Sequence, residues 1–590
     1  MHTQKRKIIT ILLATIVFFS GCQSKKDDSL FKNLVIYELV KPWDARITDT
    51  VHGYMLRKGI VGGAVAVVRK GETIYSQGFG MADKAANIKM TPATVVMVGS
   101  ISKLMTATSV MQLHEKGKLD IDTAFTRYVT DFSIKARKGM TTTVDNITPR
   151  QMLSHQSGLP SDWFHDQYTA FPPGLTEYAG QFADEYLASE PNIFYSYSNT
   201  AFTLLGLLVE RVSGVSFSAY TDNNLFQAAA MNSSSFAPTE AMKVKKSKGY
   251  NADGTLALDP VIAEIPAGAL HTTADDMAAF MKMVLADGKI NDTQILAKTT
   301  LDAMLTEQNA KRALPQNQTG LGWSLAPYQL SGQGKTISHA GNIHSFNAMM
   351  LIFPEHQTGI FVVFNTVGSG MTAVSLARDI GKIVMQQLNA VEVRNSYDVS
   401  SAEIAIQNPE SYAGKYSIPF VGTVEIKQKN DKLSAFVLGQ NIPLTWHEDG
   451  KFRMPLPGAE VSFAEYQGKK AFTLYLGEQT SYLPIQGIKI ENLSVTSAWK
   501  NRTGVYSLDS QTTFNKILKP VRIELKETDG VLYAVKTVAS GDTEQSNDFA
   551  LEIDDDTTAH FYGADRGMGE TIWIDSQGKM HYQESTYSRQ

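Results

Sequence analysis

Three kinds of hydrophobic pattern follow one another along the chain. The first is an apolar run from Ile8 to Phe19, preceded by His2, Lys5, Arg6 and Lys7. A run of that length is too short to cross a bilayer as a helix, and a basic stretch ahead of it is the pattern of a signal peptide. The second occupies roughly residues 30–391 and mixes helical with strand periodicity. Gly62 to Arg69 reads as a buried strand and Glu72 to Gly78 as its hairpin partner. Ser100 to Lys116 places Ile101, Leu104, Met105, Thr108 and Met111 on one helical face and closes at Gly117. Further helices are predicted over Thr200 to Val212, Ala274 to Ala286 and Ala373 to Ala390, and a strand, turn and strand over Met349 to Asn365. The third pattern begins after about Val391. Long helical runs give way to short alternating segments such as Thr423 to Lys427, Leu433 to Leu438, Ala471 to Leu476, Val521 to Lys526, Val531 to Val538 and Thr571 to Asp575.

The third region looks duplicated. Gly414-Lys415-Tyr416-Ser417 recurs as Gly504-Val505-Tyr506-Ser507, and Val424-Glu425-Ile426 as Val521-Arg522-Ile523. The pattern predicts an α+β chain with one or two small antiparallel β-barrels at its C-terminal end. The expected divisions are a leader over residues 1–21, a tether over 22–34, a main domain over 35–390, a linker over 391–407, and barrels over 408–493 and 494–590.

Charge and cysteine usage narrow the picture. With Lys+Arg 55 against Asp+Glu 59 and no concentrated basic block, a nucleic-acid partner is not expected. Cys22 is the single cysteine, so no disulfide framework exists. It closes Phe19-Ser20-Gly21-Cys22, which resembles a bacterial lipobox. Acylation of Cys22 would anchor the protein to a membrane, with Gln23 to Ser29 as the tether. The expectation is an exported bacterial lipoprotein facing the periplasm or cell exterior, on the outer membrane in a Gram-negative cell.

Candidate chemistry comes from three short patterns. Ser100-Ile101-Ser102-Lys103 is an S-x-x-K match, but Ser29 to Lys32, Ser497 to Lys500 and Ser576 to Lys579 match as well. Context separates them: Ser100 follows Gly99 and opens an amphipathic helix, so Ser100 and Lys103 lie one turn apart beside free helix N–H groups. A serine hydroxyl is a poor nucleophile, and a desolvated lysine within reach can take its proton. Tyr197-Ser198-Asn199 follows an aromatic stretch and precedes a helix. A phenol near a lysine ammonium is expected to have its pKa lowered and to shuttle protons. Asn199 can hold the lysine and a substrate carbonyl. His339-Ala340-Gly341, followed by Asn342, lies in strand-like sequence, where a glycine would let a substrate backbone approach an edge strand. No H-E-x-x-H, paired C-x-x-C or phosphate-cradling loop occurs, so neither a metal nor a cofactor is expected.

In this order, Ser100-x-x-Lys103, Tyr197-x-Asn199 and His339-x-Gly341 resemble the three motifs of the penicillin-recognising serine hydrolases. The branch is that of class C β-lactamases, D,D-peptidases, D-aminopeptidases and family esterases. Val98 to Lys103 and Met152 to Pro160, which resembles an LLSHTSGLP segment, agree with it. The resemblance covers residues 35–390 and implies a β-lactamase/transpeptidase-like α/β/α domain. It also implies an acyl-enzyme at Ser100 with Lys103 and Tyr197 moving protons, and Asn199, His339, Gly341 and Asn342 binding substrate. The oxyanion hole would come from the backbone N–H groups of Ser100 and Asn342, and His155 would be structural. His339 stands where β-lactamases carry a lysine, and a neutral imidazole cannot hold a substrate carboxylate as a fixed cation does. That favours ester, amide or D-amino-acid substrates, small or peptidic and including peptidoglycan-derived ones. Two alternatives stay open: a D,D-carboxypeptidase or penicillin-binding protein with weak β-lactamase activity, and a silent cell-wall-binding protein. In the latter, Tyr475, Trp499, Tyr533 and Trp573 of the barrels could contact glycan, although core packing is their commoner use. Pocket shape would depend on the loops Ser161 to Gly180 and Thr306 to Gly320.

Overall fold

The computed structural model describes residues 42–590 apart from short internal segments, of which 164–171, 310–317, 477–484 and 510–519 are the longest. The leader, Cys22, the tether and the Ser29 to Lys32 pattern lie outside the described residues, as do parts of the 391–407 linker and of the two pocket loops. Residues Thr50–Gln590 form one compact unit. Helix α1 (Trp43–Lys58) opens the described part.

The core of the main domain is one antiparallel sheet made from both ends of that domain. Its strands are β1 (Gly62–Arg69), β2 (Glu72–Asp83), β3 (Ile88–Lys89), β4 (Ile337–Ile343), β5 (Phe346–Phe353) and β6 (Thr358–Phe364), in the order β3-β2-β1-β6-β5-β4. The N-terminal hairpin therefore joins the C-terminal meander at β1 and β6, with Val67 opposite Ile360. Strands β5 and β6 are buried at every position, because helices cover both faces. Successive side chains of a strand point to opposite faces. Gly359 faces Met281 of α4 (Ala274–Leu285), and Ile360 faces Gly381 of α5 (Gly370–Leu388). That is why this pair of strands reads as unbroken hydrophobic sequence rather than as alternation.

Between β3 and β4 the chain builds a helical region around α2 (Ser102–Glu115) and α3 (Asn199–Ser213). The sequence predicts α2 to be amphipathic. Instead it is buried from Ser102 to Leu113 on all sides. Its hydroxyls are hidden by bonding back to the helix: Thr108 Oγ1 donates to Leu104 O at 2.7 Å and Ser109 Oγ to Met105 O at 2.9 Å. Thr106 Oγ1 instead donates to Pro266 O at 2.6 Å, tying α2 to the short helix Ile265–Gly268.

The C-terminal region forms two closed eight-stranded antiparallel barrels, running from Gly414–Ile418 to Ile485–Lys489 and from Gly504–Leu508 to Ser585–Arg589. They repeat one another in detail. Tyr416 pairs with Lys489 and Tyr506 with Arg589 across the closing seam. The Tyr416 hydroxyl donates to Tyr412 O at 2.9 Å, and the Tyr506 hydroxyl to Arg502 O at 2.9 Å. Two of the aromatic residues considered for glycan binding are core. Trp499 is fully buried with its indole N–H donating to Asp555 O, and Tyr533 is buried. Tyr475 and Trp573 are half-buried, and Trp573 stacks on His581 at 3.8 Å.

Tyr416→Phe and Tyr506→Phe each remove one such bond and leave a carbonyl short of a donor. Each is expected to lower the stability of its barrel by about 1 kcal/mol, read as a shift of the denaturant midpoint followed by tryptophan fluorescence.

Candidate active site

The site forms where the start of α2, the start of α3 and the edge strand β4 converge. Ser100 lies in a single 3-10 turn, Gly99–Ile101, that leads directly into α2. Gly99 has φ +51° and approaches Asn342 so closely that a Cβ there would stand 2.7 Å from the Asn342 backbone nitrogen. On β4, a Cβ at Gly341 would stand 1.8 Å from Val98 O. The close approach expected at Gly341 is thus real, but the backbone that uses it is the chain's own. It docks the edge strand against the serine turn and brings the Asn342 N–H beside it.

Ser100 is half-exposed, whereas Lys103 is 0% exposed. Lys103 Nζ lies 3.2 Å from Ser100 Oγ, 2.5 Å from Asn199 Oδ1 and 2.8 Å from Ala267 O. It also stands over the rings of Tyr197 and Phe202, 4.8 and 5.6 Å from their centres. Burial lowers its pKa to about 7, against the opposing pull of Glu264 and Asp162.

Tyr197 hydrogen-bonds Ser100, yet its phenol moves opposite to expectation. Burial raises its pKa well above the ordinary value. The lysine meant to lower it sits over the ring face and is itself only about half protonated at neutral pH. His155 packs against Tyr197 with ring centres 4.4 Å apart, and its Nδ1 accepts from Ser198 N at 3.0 Å. Burial holds it neutral, and it props the tyrosine from behind. His339 is buried too, and burial together with Lys103 lowers its pKa to about 4. Its Nδ1 faces Ala340 O at 2.6 Å, so Nδ1 carries the hydrogen and Nε2 keeps the free lone pair.

Asn199 is committed more heavily than its spacing suggests. While Oδ1 accepts from Lys103, Nδ2 donates to Asp162 Oδ1 at 2.6 Å. Asp162 is buried and takes two bonds from Arg566, Nε at 2.8 Å and Nη2 at 2.6 Å. Arg566 comes from a loop of the second barrel, 404 residues away in sequence, and stacks over Tyr197 at 5.2 Å. Glu264 accepts from the Tyr178 hydroxyl at 2.9 Å and from Trp163 N at 3.2 Å, and burial raises its pKa to about 8.

The fold thus brings Ser100, Lys103, Tyr197, Asn199, His339, Gly341 and Asn342 into one cleft. Asp162, Glu264 and Arg566 were not singled out from the sequence. Asp162 falls in a loop already named as shaping the pocket. Neither Glu264 nor Arg566 belongs to any repeated or spaced pattern. Among the described residues no cluster of three or more His, Cys, Asp or Glu could hold a metal ion.

A serine hydroxyl thus stands against a desolvated lysine amine, at the edge of an antiparallel sheet with helices on both faces. A family model described as Beta-lactamase matches residues 45–385, and the chain belongs to that family. It is similar to Protein flp of Staphylococcus aureus (strain NCTC 8325 / PS 47), 25% identical over 327 residues. That match covers 54% of this chain and 62% of flp, so the chain spans less than two thirds of the length of this relative. Among solved structures, the octameric penicillin-binding protein homologue from Pyrococcus abyssi has 22% identity and a TM-score of 0.50, over 75% of this chain and 99% of that one. SurE with D-Leu has 19% identity and a TM-score of 0.53, over 76% and 99%. Both share the fold.

Gly341→Ala drives a methyl group into the Val98 carbonyl. It is expected to destabilise the chain by about 1–3 kcal/mol, measured as a lowered Tm in calorimetry.

Proposed function

We infer that this protein is a membrane-anchored serine hydrolase that forms an acyl-enzyme at Ser100 on a neutral ester or amide substrate. The observation that carries the reading is the buried Lys103 amine 3.2 Å from Ser100 Oγ, with its pKa lowered to about 7. A neutral amine has two hydrogens and one lone pair. Asn199 Oδ1 and Ala267 O take the two hydrogens, which leaves the lone pair for the Ser100 hydroxyl.

The steps follow from that arrangement. As Ser100 Oγ attacks the substrate carbonyl carbon, its proton passes to Lys103 Nζ. The Ser100 and Asn342 N–H groups receive the developing oxyanion, an interaction worth about 3 kcal/mol of barrier. Tyr197, still a phenol, gives its proton to the leaving group and becomes a phenolate. The protonated Lys103 and Arg566, which flank its ring, support that charge. In deacylation the phenolate takes a proton from water, the hydroxide attacks the acyl carbon, and Ser100 leaves with the proton held on Lys103. Every group then returns to its starting state.

Substrate class follows from charge. His339 stays neutral with Nε2 as an acceptor, and the Arg566 charge is already paired with Asp162. Those groups suit an ester, an amide or a D-aminoacyl group better than the carboxylate of a β-lactam, and peptidoglycan-derived peptides belong to that range. The basic stretch, the apolar run and the Cys22 lipobox support an exported lipoprotein held to a membrane by acylated Cys22.

A fluorophosphonate should label Ser100 stoichiometrically, by intact mass and peptide mapping, while a fluorescent penicillin labels weakly. Uptake by a Ser100→Ala variant would sink the assignment. Lys103→Ala should slow labelling by about 10²–10⁴-fold. Because the base works as the free amine, the wild-type rate should fall as pH drops through about 7.

A further inference from the structure

The loop that carries Arg566 is clamped to the main domain on its C-terminal side. Gly567 N donates to Ser161 Oγ at 2.9 Å, and Glu570 Oε1 accepts from Ser161 N at 3.3 Å. Glu570 Oε2 is fixed in turn by the Tyr582 hydroxyl at 2.9 Å and Gln583 Nε2 at 2.7 Å. Gly569, at φ +78°, passes so near Ala188 that a Cβ would stand 2.1 Å from its carbonyl oxygen. The arginine is therefore delivered to a defined place.

From there one continuous chain of bonds runs to the amine. Arg566 grips both oxygens of Asp162, Asp162 Oδ1 accepts from Asn199 Nδ2, and Asn199 Oδ1 accepts from Lys103 Nζ. The two ends of an amide are chemically opposite. Only the carboxylate at Nδ2 dictates that the oxygen faces the lysine. Were the amide reversed, its N–H would donate to the Lys103 lone pair and withdraw it from Ser100. A buried carboxylate also needs a paired cation, since removing one partner leaves an uncompensated charge.

We propose that Arg566 is a positioning residue of the active site. Acting through Asp162 and Asn199, it orients Lys103 as the base for Ser100, so that the second barrel is part of the catalytic apparatus. This rests on the Ser100–Lys103 reading above. The groups facing Lys103 are Glu264 ahead of the helix Ile265–Gly268, Asp162 on its loop, Tyr197, His155, His339 on β4, and Arg566. Burial raises the pKa of Glu264 and Tyr197 and lowers that of both histidines, so these four groups lean toward their neutral forms at neutral pH. The Asp162–Arg566 pair therefore supplies the fixed charge around the amine. Losing Arg566 leaves the carboxylate to favour the ammonium form.

The test is the rate of fluorophosphonate labelling at Ser100 against pH in the full chain, with folding checked by thermal melts. Arg566→Ala should raise the midpoint by about one unit and slow labelling at pH 7 about fivefold. Arg566→Lys should restore the midpoint but only part of the rate, because an ammonium keeps the charge without the two-pronged grip. Adding Asp162→Asn to Arg566→Ala removes the stranded charge while keeping a carbonyl for Asn199, and should bring the midpoint back down. Gly569→Ala, which displaces the loop, should behave like Arg566→Ala. An Arg566→Ala variant with the wild-type rate and midpoint overturns the proposal. So does an equal slowing of the single and double variants with no movement of the midpoint, which marks a merely structural role. A wild-type chain that takes no label at Ser100 overturns the catalytic reading itself, and this proposal with it.

Discussion

Everything at the candidate site depends on keeping one amine out of water. In solution a lysine is an ammonium ion at neutral pH and cannot accept a proton from a serine. Lys103 is fully buried, inside a helix that is itself buried on all sides, and burial lowers its pKa to about 7. The same burial creates an obligation, because hidden N–H groups must be bonded. The two acceptors that meet it, Asn199 Oδ1 and Ala267 O, come from separate elements and also aim the lone pair. Desolvation and orientation thus have a single origin.

The geometry tolerates little slack. Ser100 sits on a turn pressed against the edge strand, with no room for a side chain at Gly99 or Gly341. The sheet that carries the edge strand is joined at its middle by pairing β1 with β6. A shift at β1 would pass through β6 and β5 to β4 and so to the serine. Rigidity is obtained by packing sequence-distant strands side by side, and the cleft inherits it.

Three short patterns were legible in the sequence because each is local. Spacing alone puts Ser100 near Lys103, and Tyr197, Asn199, His339 and Gly341 stand in segments whose texture marks helix starts or strand. The duplicated Gly-x-Tyr-Ser segments likewise announced the barrels, since each encodes the same tyrosine-to-carbonyl bond. Spacing carries no information about desolvation, however. Neither the raised pKa of the Tyr197 phenol nor the burial of α2 on every side is therefore legible in the spacing. Asp162, Glu264 and Arg566 are single charged residues in loops. Their meaning arises only once the chain folds, and for Arg566 only once a barrel meets the main domain.

That meeting is itself polar. An apolar contact would tolerate sliding, whereas the barrel is registered by Arg566 on Asp162 and by Glu570 on Ser161, each with defined partners at both ends. Glu570 reaches further, to the Tyr582 hydroxyl. Tyr582, Phe549 and Phe561 surround Lys536, with ring centres 4.1 to 5.2 Å from its Nζ. Glu570 and Lys536 are thus opposite charges in the interior of the second barrel. Buried charges of this kind add little net stability, because desolvation offsets their attraction. What they impose is a single arrangement, since any displaced docking would strand a carboxylate or a guanidinium without its partner. A barrel fixed in this way can carry a residue of the active site, and one held only by apolar surface could not place a guanidinium to within a hydrogen bond.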